Sequence, residues 1–234
     1  MIASVHLADI GVRSAFAIAR KPPPPRSIDG LGHADVALAA PLRGASLPAP
    51  QLGRACLIAF WDDDAALDRF LADHPLAAKL ASGWHVRLAP LRAYGTWPAL
   101  PGDVPPQRDV EHTGPVAVLT LGRLRASQAI RFVRTSAKAE ASAVASPGMM
   151  WGTALARPPS FVATCSLWES TRAASTFAYG HGDPGHPDAI ATDQAKPFHH
   201  ESAFIRFRPY GSHGCLGGRN PLTETWMAAT TDNP

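Results

Sequence analysis

The sequence predicts an α+β fold in which two tandem ferredoxin-like βαββαβ units close into one eight-stranded barrel with helices outside. Three observations carry this reading. An apolar run ending in Trp occurs twice, at Arg54–Trp61 and Phe161–Trp168, each followed by capping residues and, nine positions after the Trp, by Phe70 or Phe177. Each unit then closes on a strand-like run ending in Tyr-Gly, at Tyr94-Gly95 and Tyr210-Gly211. Finally, a four-stranded sheet with both helices on one face leaves its other face apolar, and two copies can bury those faces against each other. Two independent ferredoxin-like domains with separate cores are the alternative.

The elements follow in order. Val5–Val12 and Val116–Leu124 read as first strands. Helices follow at Arg13–Ala19 and Ser127–Ala139; in the second, Ala129, Phe132, Val133 and Ser136 share one face by i, i+3, i+4, i+7 spacing. Breaks at Pro22–Pro25 and Ser146-Pro147-Gly148 lead into strands at Asp35–Ala40 and Met149–Leu155, before the two Trp strands. Asp62-Asp63-Asp64 and Glu169-Ser170-Thr171 supply oxygens for the free N–H groups of a helix start. The last strands are Val86–Gly95 and Ala203–Gly211. The units therefore span residues 1–97 and 115–211, joined by a Pro- and Gly-rich connector at 98–114 and followed by a loop and tail at 212–234.

Composition narrows the function. The charge of +3 is mild and the basic residues are scattered, so nucleic acid is not expected as a partner. Cys56, Cys165 and Cys215 are odd in number and far apart, which argues against a disulfide framework and for a reducing compartment. The N-terminal residues lack a signal-peptide pattern and no run of 18 apolar residues occurs, so a cytoplasmic protein is expected. There is no nucleophile elbow, phosphate loop or dinucleotide fingerprint.

The second unit departs from the first in one place. From Trp61 to Tyr94 is 33 residues, from Trp168 to Tyr210 is 42, and the roughly nine extra positions fall in a Gly/Pro/His stretch around residues 179–188. His181, His186, His199 and His200 lie in or near it, four of the ten histidines of the chain. Turn residues precede a short helical run from Asp188, placing His186 at a helix entry beside Ala189 and Ile190. An imidazole there can ligate a haem iron, with Asp183 or Asp188 holding its other nitrogen, or can simply be a turn residue. A zinc site is less well supported, because His199 and His200 are adjacent and no Cys lies at ligand spacing. Either of the pair can line a pocket as a proton donor or serve as a hydrogen-bonded strand entry.

Several of these segments, in their order, resemble the spheroidene monooxygenase family of carotenoid oxygenases. They are Gly114–Thr120, Thr164–Trp168, Phe177-Ala-Tyr-Gly180, His186-Pro-Asp-Ala-Ile190, Ala203–Phe207 and Gly218–Leu222. Trp84 and Gly95-Thr-Trp97 look similar in the first unit. The resemblance is strongest from about residue 114 onward. It implies a haem-dependent monooxygenase on a dimeric α+β barrel, using molecular oxygen, an electron donor and an apolar small-molecule substrate such as a carotenoid. It assigns His186 as the iron ligand, with Asp188, Ile190, Phe177 and His199 around the cofactor. Arg123, Arg206 and His200 are the candidates for hydrogen bonding to iron-bound oxygen. An apolar substrate further implies at most peripheral membrane contact, and a homo-oligomer is compatible. His199-His200 departs from the more aromatic and acidic family pattern and leaves the carotenoid substrate open. A haem dehydratase or peroxidase-like enzyme, and a barrel that binds a small molecule without iron, are the competing readings.

Overall fold

The computed structural model describes residues 1–42, 51–107, 112–179 and 197–222. Strands β1 (Ile2–Asp9), β2 (Leu31–Pro41), β3 (Arg54–Trp61) and β4 (Trp84–Gly95) form the first half, with helices α1 (Val12–Arg20), α2 (Asp64–Asp73) and α3 (Pro75–Leu80). Strands β5 (Val116–Leu124), β6 (Met149–Arg157), β7 (Phe161–Trp168) and β8 (His199–Gly214) form the second, with α4 (Ala129–Ala145) and α5 (Thr171–Tyr179). The strands close into a single barrel in the order β1-β3-β2-β6-β7-β5-β8-β4. Each half keeps the strand order of a ferredoxin-like sheet, and two antiparallel seams, β2–β6 and β4–β8, join them. The closed barrel replaces the alternative of two separate cores.

Alternation along the strands explains the closure. Val5, Ile58, Val86, Leu119, Cys165 and Ile205 all point inward and meet in one buried cluster drawn from both halves. Had the halves stayed apart, each would present this apolar face to water, which disfavours separation. Trp84 and Trp151 meet across the middle with ring centroids 5.4 Å apart. The segment after β4, from Trp97 into the connector, is more than a spacer. Trp97 is buried against Phe161 at 5.9 Å, Leu100 and Val104 pack on the core, and the Ala93 N–H donates to the Pro105 carbonyl.

The repeat is visible in side-chain detail. Phe70 packs on Trp61 at 4.9 Å, and Phe177 stacks on Trp168 at 5.0 Å. Each indole N–H donates to a serine, Trp61 to Ser4 and Trp168 to Ser166, both at 2.9 Å. The helix starts are capped as the sequence suggests: Asp63 accepts from the Ala66 N–H and Ser170 from the Ala173 N–H. Gly95, at φ 90°, has no room for a side chain, because a Cβ there would run into the Ser202 carbonyl.

Several elements differ from expectation. β1 lies three residues earlier than expected, since Val12 already opens α1, and α3, started by Pro75, was not expected. β8 runs on to Gly214, because it pairs with the whole length of β4. In α4 the expected buried face is only partly seated: Phe132 packs on Phe198, but Val133 is 42% exposed. Periodicity identifies residues that share a face without identifying what that face meets. The short helix expected from Asp188 lies outside the described residues.

Candidate functional site

The two halves treat their outer faces differently. On the first, Ser4, His6 and Ala8 of β1, Ala34 and Val36 of β2, and Leu57, Ala59 and Trp61 of β3 are all buried beneath α1, α2 and α3. On the second, the corresponding outward residues are smaller and less covered. Thr120 on β5, Gly152 and Ala154 on β6, and Thr164 on β7 are only half-buried. α5 covers one end of this face through Ala174, Ala173 and Phe177, packed on Val116, Val118 and Trp168. At the other end Phe132 of α4 meets Phe198 and His199.

His199 forms part of that floor. A β-bulge in β8 between the partners of Arg123 and Leu124 turns His199 outward. Its ring then lies over Gly122, where a Cβ would come within 2.6 Å of Nε2. Phe132 meets the ring edge-on at 5.3 Å, and the His199 carbonyl accepts from Arg125 Nε at 3.1 Å. His200, beside the bulge, is exposed. Glycine at 122 is what allows an imidazole to come this close to the sheet.

The α5 end is cationic. Arg206 of β8 stands directly opposite Arg92 of β4. Arg206 Nη2 donates to the Ser175 hydroxyl at 3.1 Å, while its Nη1 is buried with no hydrogen-bond partner among the described residues. Arg92 donates to the Pro106 carbonyl at 2.9 Å and to the Tyr179 hydroxyl at 3.3 Å. Burial, with the neighbouring charge of Arg92, draws the Arg206 pKa below the ordinary arginine value, and Tyr179 opposes this.

Arg123 belongs to a different place. It points into the barrel end, where Asp35 is buried among donors. Asp35 Oδ1 accepts from Arg157 at 2.9 Å and lies 3.8 Å from Arg123. Oδ2 accepts from His33 Nε2 at 2.9 Å and from Trp97 Nε1 at 3.2 Å. Burial alone would raise the Asp35 pKa; the His33 hydrogen bond and the charges of His33, Arg123 and Arg157 overcome it and hold the carboxyl below its usual value. Arg123 also pairs with Glu201 at 2.9 Å and lies over the Trp97 ring at 4.7 Å.

The described sequence-assigned residues therefore separate into four places. Phe177 is on α5 and Arg206 lies beneath that helix, and His199 lies on the floor below α4. Arg123 is inside the barrel, on the opposite face of the sheet from Arg206. His200 is about 20 Å along β8 from Arg206 at the rise of a strand. The three oxygen-handling candidates are not brought together. His186, Asp188 and Ile190, with His181 and Asp183, lie outside the described residues. Among the described residues no group of three His, Cys, Asp or Glu is placed to hold a metal ion. Sequence reasoning missed Asp35, Arg157 and Arg92. Asp35 had a signal, a carboxylate in the apolar run His33-Ala-Asp-Val-Ala, but Arg92 had none.

No protein-family profile matches the chain. It is 28% identical over 186 residues to spheroidene monooxygenase of Cereibacter sphaeroides, an alignment covering 76% of this chain and 56% of that protein. It is 30% identical over 175 residues to spheroidene monooxygenase of Rubrivivax gelatinosus, covering 73% of this chain and 66% of that protein. The chain is a relative of the spheroidene monooxygenases. It spans just over half the length of the first of these spheroidene monooxygenases and about two thirds of the second. Among solved structures, an aldoxime dehydratase in complex with butyraldoxime is similar at TM-score 0.54, with 11% identity, covering 94% of this chain and 85% of that one. At that identity the likeness is one of fold, and it places this spheroidene monooxygenase relative among the α+β barrels.

Proposed function

We propose that the protein is a haem-dependent monooxygenase acting on an apolar substrate of the carotenoid class. The observation that carries this is the relationship to the spheroidene monooxygenases. The outer face of the second half supports the cofactor. Small, half-buried residues at Thr120, Ala154 and Thr164 give a floor against which a flat apolar ring system can lie. Phe132 and His199 border it at one end, and the Arg92–Arg206 pair supplies positive charge at the other. A porphyrin, flat and apolar with two carboxylates, suits that combination. When bound, haem would supply an iron on which oxygen is activated.

The residues of the chain do the rest. His186 is assigned to hold the iron through its imidazole, with Asp188 fixing the other ring nitrogen. His199 is positioned to hold a proton at the floor of the site. Incorporation of one oxygen atom into a C–H bond releases the other as water and consumes two electrons and two protons, so an electron donor is a required partner. An apolar substrate reaches the protein from a membrane or a carrier. No described helix is long and apolar enough to cross a membrane. Ile130, Val133 and Val144 on α4 are exposed apolar residues suited to peripheral contact.

The test is an absorption titration of the purified chain with haemin beside His186→Ala. A saturable Soret band in the wild type that is lost in the variant is expected. Absence of a saturable band in the wild type would overturn the haem reading.

A further inference from the structure

The Arg92–Arg206 pair is an arrangement that packing alone does not explain. Like charges directly opposite on neighbouring strands repel and destabilise a sheet. Arg206 is 6% exposed and Arg92 9%, so water screens them poorly. Among the described residues they donate to a serine hydroxyl, a tyrosine hydroxyl and a backbone carbonyl, all neutral. Neither makes a salt bridge among the described residues, whereas Arg54, Arg69, Arg87, Arg123 and Arg157 each meet a carboxylate. One guanidinium nitrogen of Arg206 is buried with no hydrogen-bond partner among the described residues. A buried cation left in this state costs stability, so it calls for an anion.

We propose that Arg92 and Arg206, with the hydroxyls of Ser175 and Tyr179, form a seat for one carboxylate of a ligand lying on the outer face of the second half of the barrel. A planar carboxylate matches the guanidinium fork, and two hydroxyls at the rim can donate to its remaining lone pairs. This assigns Arg206 to ligand positioning rather than to handling oxygen. The carboxylate has two possible sources: a porphyrin propionate, which rests on the haem reading above, or a free carboxylic acid, which does not.

The experiment uses the full chain, haem-free, as wild type, Arg206→Gln and Arg92→Gln. Tryptophan quenching measures binding of protoporphyrin and of its dimethyl ester, and melting temperature is measured against succinate at constant ionic strength. The expected result is that the wild type binds the free-acid porphyrin about tenfold or more tightly than the ester, the loss of one charge-assisted hydrogen bond. Arg206→Gln should abolish the preference and, without ligand, melt no lower than the wild type. If both porphyrin forms bind equally and succinate has no effect, the seat is overturned while the haem reading stands. If no porphyrin binds but succinate stabilises the wild type and not Arg206→Gln, the seat stands and the haem reading fails. If Arg206→Gln melts well below the wild type and keeps the wild-type response to carboxylates, the arginine is structural and the seat is overturned.

Discussion

Asp35 shows how one residue can organise a barrel end. Its two oxygens gather donors from β2, β6 and Trp97 after β4, and the Arg123 guanidinium of β5 lies 3.8 Å away. Asp35→Asn keeps the shape but leaves Arg157 facing a neutral group inside the protein. Breaking a buried ion pair by removing one partner costs about 3–5 kcal/mol, and urea unfolding should show a loss of that order. The pH dependence has a definite sign. The folded carboxyl titrates below its unfolded value, so its contribution is fully present above about pH 4 and is lost as pH falls through the folded value. Part of this was legible: a carboxylate in an Ala/Val strand must find partners. Its partners Arg123 and Arg157 stand 88 and 122 positions away in sequence, and only strand closure brings them together.

At the scale of elements, β1, β4 and β8 carry a stack of imidazoles on their outer faces. His6 lies 5.1 Å from His85, and His85 lies 5.0 Å from His213. Burial, then the charges of His85 and Arg87, push His6 down to about 3; burial, then His213 and Arg87, push His85 down to about 4. The folded protein thus holds both rings neutral where the unfolded chain would protonate them near 6.5. Their contribution to stability is complete above that value and is lost as pH falls toward 4 and then 3. The melting temperature should drop between pH 7 and pH 5, and His85→Gln should flatten that slope; an unchanged slope would remove the stack from the explanation. The element types were readable from periodicity and capping, and the Trp–Phe pairs from the repeat. The bulge at His200 was not. It arises from a mismatch between two strands, and the sequence of one strand carries no trace of its partner's register.

For the molecule as a whole, the shared core predicts a single unfolding event. Trp84 and Trp151 come from different halves, and Trp97 reaches from the end of the first half to Phe161, so tryptophan fluorescence reports contact between the halves. Fluorescence and far-ultraviolet circular dichroism should follow one coincident transition in urea. Two resolved transitions would mean that the halves are stable apart. The barrel itself was legible because a repeat with one unsatisfied face has few ways to cover it. Which outer face would stay less covered was hinted at only by the longer second unit, since coverage depends on how helices settle and α4 settles differently from its counterpart α1.

The two seams are unequal. One runs from Trp84–Gly95 against Ala203–Gly214, whereas the other joins only Leu38–Pro41 to Thr153–Ala156, reinforced by Arg157 reaching Asp35 and the Val36 carbonyl. Mechanically this is a clamshell: a long hinge on one side, a short lip on the other, and Arg157 as the latch. Under strain the lip yields first, and the molecule can gape there while its long side stays zipped.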